Sequence, residues 1–300
     1  MNGRLRVQLV TLKEIEGTLL DNYNLKTVYE ENLKNKEQTD TKTSDKNNYE
    51  AVLFQQLAYA FGLKVNAENF KQLAESLDFS VVNKIRQNQT QLEALFFGVC
   101  GWLEKPEDEQ MKVWKREFNF LTVKYQLPTL KITPKFSKLR PPNFPTIRLS
   151  QLATLYYLNQ NLFSKLVLVK KIDEIKTIFR NVKASDYWNN RFNFGKISPV
   201  EGEKFLTEEF INLILINTVL PFKYTYHKNS DENISDEILD FYRTINPEKN
   251  TITENWKSLN VKITNAVESQ AFIYHYKNFC EKKHCLNCSI GYQLLGVKNL

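Results

Sequence analysis

Pro141, Pro142 and Pro145 stand within five residues of one another in Arg140-Pro-Pro-Asn-Phe-Pro145. Each ring removes a backbone donor and fixes φ, and each pushes the residue before it toward extended geometry. No α-helix can run through this stretch. Directly after it, Ile147, Leu149, Leu152, Ala153 and Tyr156 recur at helical spacing, so a rigid segment feeds an amphipathic helix. Residues 126–146 are therefore expected to form a proline-rich strap between a helical bundle at 49–125 and a second helical part at 147–300.

Helical periodicity dominates on both sides of the strap. Leu5, Leu9, Leu12, Ile15 and Leu19 mark an N-terminal helix within residues 1–33. Residues 34–48 hold no apolar side chain and read as a polar linker. Val52, Leu53, Leu57, Ala60 and Phe61 then mark a helix that Gly62 is expected to stop. Asn66 is expected to cap the next helix, which carries Phe70, Leu73, Ala74 and Leu77. Further helices are expected at 81–85 and 90–103, then from Pro106 in a first turn to Tyr125. Beyond the strap the pattern predicts helices at 147–159, 161–169, 171–180, 207–219, 235–244, 252–258 and 265–283. Residues 187–195 read as an irregular aromatic loop. No period-2 pattern or repeat is sustained, and nine glycines and nine prolines are few for a barrel or sandwich. The expected fold class is all-α and multi-helical, with two helical halves joined by a proline-rich basic strap.

Charge is unevenly spread. From Phe118 to Ile172 there are nine Lys or Arg and no Asp or Glu. Subtracting them from the net +7 leaves the other residues near −2, so the excess is concentrated in one stretch. Lys131, Lys135, Lys138, Arg140 and Arg148 could neutralise phosphates, and Tyr125, Phe136, Phe144, Tyr156 and Tyr157 could stack on bases. The same cations suit an acidic protein partner, and Phe136, Phe144 and Tyr156 equally suit a core. Arg140 and Arg148 fit a phosphate clamp at the helix start, or bracing by Glu93 or Glu117.

His275, Cys280, His284, Cys285 and Cys288 crowd the C-terminal region. Cys285-x2-Cys288 has the spacing with which two thiolates grip zinc or a corner of an iron–sulfur cluster. Cys280 would add a third sulfur and His284 or His275 a fourth ligand. The alternatives are core packing, as expected for Cys100 on its apolar helix face, and thiol redox chemistry.

Catalytic signatures are missing from the sequence: it has no glycine-rich phosphate loop, no Gly-x-Ser-x-Gly and no His-Glu-x-x-His. Asp186, Glu201, Glu203, Glu208 and Glu209 could form a carboxylate site, but acids near a helix start need no further role. The Tyr187-Trp188 pair suits either ligand stacking or a core edge. Neither a signal peptide nor a run of 18 apolar residues is evident, so a cytoplasmic protein without a membrane span is expected.

Four stretches in consistent order carry a family resemblance. They are Phe61-Gly62-Leu63-Lys64-Val65-Asn66, Gln91-Leu-Glu-Ala-Leu-Phe-Phe-Gly98, Arg140-Pro-Pro-Asn-Phe-Pro145 and Cys280-x4-Cys285-Leu-Asn-Cys-Ser-Ile-Gly291. From about residue 49 to its end, the chain resembles the bacterial domain-of-unknown-function family 2851. The resemblance implies that longer members carry a further acidic and histidine-rich N-terminal region, and this chain is expected to begin near or after it. It implies no mechanism. The residues themselves favour a nucleic-acid-binding or accessory module. The alternatives are an interaction scaffold for an acidic protein and an enzyme subunit using a zinc or iron–sulfur site.

Overall fold

The computed structural model describes residues 45–127, 132–230 and 232–288, which divide into two helix clusters. The larger cluster holds the described residues through Thr218 and the smaller those from Val219 onward. Among the described residues the fold is all-α and multi-helical, with one small two-stranded hairpin.

In the larger cluster α1 (Asp45–Phe61), α2 (Leu63–Glu75), α3 (Phe79–Ile85), α4 (Gln89–Val99) and α5 (Glu109–Tyr125) come first. They are followed by α6 (Pro145–Leu158), α7 (Leu162–Leu168), α8 (Ile172–Arg180) and α9 (Glu208–Ile214). Short polar side chains decide where several of these begin. Asp78, Asn88, Asp108 and Thr207 each accept a first-turn backbone N–H, at the starts of α3, α4, α5 and α9. Pro106 was expected inside the first turn of α5 but lies just ahead of its Asp108 cap.

α6 starts by other means. Pro145 opens it, where a missing N–H leaves no bond unmade. Every residue from Pro145 to Tyr156 is buried, which makes α6 the central helix of the cluster, with α1 and α4 packed on it. α5 packs on α4 at Gly98, where an added Cβ would come 2.2 Å from the Phe118 ring. Gly62 departs from the expected left-handed stop. Its φ is −67°, Leu63 takes the left-handed turn at φ 51°, and α2 begins at once. Glycine is needed at position 62 for close approach, since a Cβ would lie 2.4 Å from the Asn66 carbonyl oxygen.

The expected aromatic loop contains β1 (Arg191–Asn193), which pairs antiparallel with β2 (Lys196–Ile197) just beyond it. The proline segment, non-helical from 132 to 140 and a 3-10 turn at Pro141–Asn143, lies within the larger cluster. The division between clusters falls instead at Thr218 and Val219. The expected linker at 34–48 overlaps α1, which already begins at Asp45. Its earlier residues, the expected N-terminal helix and the strap residues 128–131 lie outside the described residues.

The smaller cluster contains α10 (Leu220–Asn229), α11 (Ser235–Thr244), α12 (Thr251–Ser258) and α13 (Ala266–His275). α11 and α12 pack on α13, and Asn250 and Asn265 cap the starts of α12 and α13. π-helical turns at Leu215–Val219 and Tyr276–Cys280 end the two helices that had been expected to run on to 219 and 283. Among the described residues no helix is long and apolar enough to cross a membrane.

Candidate nucleic-acid interface

Asn66 anchors the basic segment. It sits inside α2 and is 1% exposed, so it does not cap that helix as expected. Its Oδ1 accepts the Lys135 N–H at 2.6 Å, and its Nδ2 donates to the Lys135 carbonyl at 2.8 Å. Phe136 adds an edge-on contact to Phe144 at 5.3 Å and a tilted one to Trp102 at 6.0 Å, while Ile132 and Pro134 are buried. The backbone is therefore held while the side chains of Lys135, Lys138 and Arg140 remain exposed. Lys131 lies outside the described residues.

Arg148 is separated from these cations by burial. It is 5% exposed, with Nη1 donating to Gln151 Oε1 at 2.9 Å and Nη2 to Asn143 Oδ1 at 2.5 Å. Its guanidinium carbon stands 3.7 Å from the Phe210 ring centre. Burial among neutral amides and a ring lowers its pKa to about 9. Such a group ties the end of the proline segment to α6 and α9. Glu93 and Glu117, the expected braces for the arginines, have other partners. Glu93 accepts from Ser150 Oγ at 2.5 Å and Glu117 from Gln91 Nε2 at 3.0 Å.

A second group of cations and rings lies on α5 and the end of α3. Lys124 Nζ is 5.3 Å from the Phe120 ring centre and 5.2 Å from that of Tyr125, and Lys84 Nζ approaches Tyr125 at 5.6 Å. Phe120 is 51% exposed, so part of it remains accessible beside the Lys124 ammonium. Sequence reasoning named Tyr125 and missed Phe120. The signal was present, because Met111, Trp114 and Leu121 define the buried stripe of α5 and Phe120 falls off it. Of the other aromatic side chains named from the sequence, Tyr156 is buried, Phe136 and Phe144 are half-buried, and Tyr157 is exposed.

The Tyr187-Trp188 pair belongs to a core edge. Trp188 is fully buried and stacks 6.1 Å from Trp114, while the Tyr187 hydroxyl donates to Asp108 Oδ2 at 2.6 Å. The acids considered for a carboxylate site are largely engaged by cations. Glu208 meets Arg180 at 3.1 Å and Lys176 at 3.5 Å, and Lys183 bridges Asp186 and Glu203 at 3.1 and 2.5 Å.

The expected metal centre is not formed. Among the described residues no three or more His, Cys, Asp or Glu side chains are placed to hold a metal ion. The side chains of Cys280, His284 and Cys285 are exposed, whereas Cys288 is buried and turned toward His275 Nε2 at 3.2 Å. This corrects the zinc or iron–sulfur expectation: tetrahedral ligation needs a set of donors around one point, and the described residues provide none of three or more. Cys100 is buried, as expected of a packing residue, and burial pushes its thiol far above the ordinary range.

A family model described as a protein of unknown function, DUF2851, matches residues 10–251. The match takes in residues 10–48, ahead of the stretches that carried the resemblance, and stops short of the C-terminal cysteines. No curated protein and no solved structure matches the chain.

Proposed function

The chain belongs to the DUF2851 family, and we propose that this member is a cytoplasmic nucleic-acid-binding accessory protein. The observation that carries this reading is the exposure of Lys135, Lys138 and Arg140 on a backbone fixed by the Asn66 clasp. A held segment loses little conformational freedom on meeting phosphates, so charge attraction is not spent on ordering the chain. In this reading residues 126–146 act as a basic, proline-braced strap. Phe120, with one lysine over its ring, and Tyr125, with two, add aromatic surface suited to unpaired bases. Arg148 is not one of the ligands, because it is buried. The same exposed cations also suit an acidic protein partner, and salt dependence separates the two.

The test is a triple charge reversal, Lys135→Glu, Lys138→Glu and Arg140→Glu, with binding of labelled single-stranded and duplex oligonucleotides followed by anisotropy. Affinity should fall by more than about tenfold while helical circular dichroism is unchanged, since phosphate contacts position the nucleic acid irrespective of its sequence. Undiminished binding by the folded variant would remove this surface from the reading.

A further inference from the structure

Cys285 and Cys288 sit at the two ends of one tight turn in unlike surroundings. The 3-10 turn Cys285–Asn287 follows the π-helical turn Tyr276–Cys280, and the Cys288 N–H donates to the Cys285 carbonyl at 3.3 Å. In a 3-10 turn the side chains at i and i+3 share an edge. The Cα atoms across such a four-residue turn lie within about 7 Å, overlapping the roughly 4.4–6.8 Å that a disulfide spans. Cys285 is exposed, while Cys288 is 6% exposed. The Cys288 sulfur lies 3.2 Å from Nε2 of His275, which is itself 2% exposed. Trp256 and Phe279 close over that imidazole, with ring centres 5.8 and 5.1 Å away. Burial lowers the His275 pKa, so the ring is neutral near pH 7, and in the tautomer with its proton on Nδ1 the Nε2 facing Cys288 is an acceptor.

We propose that Cys285 and Cys288 form a reversible dithiol–disulfide pair, oxidised by a low-molecular-weight disulfide, in which His275 takes the proton of Cys288. The exposed Cys285, once deprotonated by solvent, attacks one sulfur of the small disulfide. The S–S bond breaks, one thiolate leaves, and Cys285 is left in a mixed disulfide. Cys288 then passes its proton to His275 Nε2, and its sulfur attacks that of Cys285. The second small thiolate departs and takes the proton from the imidazolium. Two protein thiols have then lost two electrons and two protons, and one small disulfide has become two thiols. An exposed attacking sulfur and a buried resolving sulfur beside a proton acceptor are the arrangement this sequence of steps requires. The pair lies beyond the residues matched by the family model and is independent of the nucleic-acid reading.

The full chain would be equilibrated in glutathione buffers of graded ratio, trapped by alkylation and mapped by mass spectrometry. The expected product is an internal Cys285–Cys288 disulfide. A bridge involving Cys280, a glutathione adduct that never closes, or four unreacted thiols would each overturn the proposal without recourse to a variant. Cys288→Ser should stop at a glutathione adduct on Cys285, and Cys285→Ser should give neither adduct nor bridge at this turn. His275→Gln, checked for folding by circular dichroism, should slow closure of the mixed disulfide by about tenfold or more. Closure at the unaltered rate would remove the histidine from the mechanism.

Discussion

Glu93 shows how a single side chain can set the pH response of the larger cluster. It lies on α4 at 2% exposure and accepts from Ser150 Oγ at 2.5 Å, and that oxygen in turn accepts the Ser185 N–H at 2.9 Å. Trp114 and Trp188 turn their indole nitrogens toward the same carboxyl without closing a well-aligned hydrogen bond. Burial pushes its pKa up to about 7, opposed only by these polar neighbours and not by a cation. A carboxyl whose folded pKa exceeds its unfolded value of about 4.3 favours folding when protonated. Its contribution is full below that unfolded value and is lost as pH rises through 7. The shift corresponds to about 4 kcal/mol at most, and Glu93→Gln should remove it. Denaturant melts of the two proteins should therefore differ in slope with pH between about 4.5 and 8. Parallel profiles would show that Glu93 is not the buried acid described. None of this was legible in Leu92-Glu93-Ala94-Leu95, because an acid inside an apolar run looks like any surface position of an amphipathic helix. Arg148 was misread for the converse reason: a cation at a helix start suggests an anion, and its burial against Phe210 depends on a helix some sixty residues later.

At the scale of elements, the existence of helices was far more legible than their ends or their tertiary partners. α3, α7, α8 and α11 fall within two residues of where apolar periodicity placed them, because each buries one stripe. α10 was missed because Pro221 reads as a breaker, although the proline falls directly after the π-helical turn Leu215–Val219, where the regular hydrogen-bond ladder is already interrupted. The hairpin was missed because strands of three and two residues are too short to show alternation. Asn66 illustrates a different limit. An Asn ahead of an apolar run is a sound cap signal, yet here its amide completes the backbone of a segment 69 residues away. Asn66→Ala should leave the Lys135 N–H and carbonyl without that clasp and lower stability by about 2 kcal/mol. It should also speed hydrogen exchange at the Lys135 amide well beyond what the global loss of stability explains. An exchange rate that moves only with global stability would mean that the proline segment is held by Phe136, Phe144 and its prolines alone.

Across the whole molecule the charge asymmetry was fully legible, since counting residues requires no coordinates, whereas the division into clusters was not. That division falls in the helical run through α9, the π-helical turn and α10, away from the proline segment. What the structure adds to the count is which cations are exposed, and this makes the partner class testable by salt. If Lys135, Lys138 and Arg140 each neutralise one phosphate of a single strand, the logarithm of affinity should fall against the logarithm of salt with a slope of about −2. An acidic protein carries no condensed counterion layer to release, so a complex with one would give a shallower slope. Phe120 supplies an independent axis, because stacking on its exposed part releases no counterions. Phe120→Ala should weaken single-strand binding by about 1–3 kcal/mol for each base lost while leaving the slope unchanged. The triple charge reversal should instead flatten the slope. A Phe120→Ala variant that binds as tightly as the parent would exclude α5 from the interface, and a parent slope near zero would exclude phosphate recognition altogether.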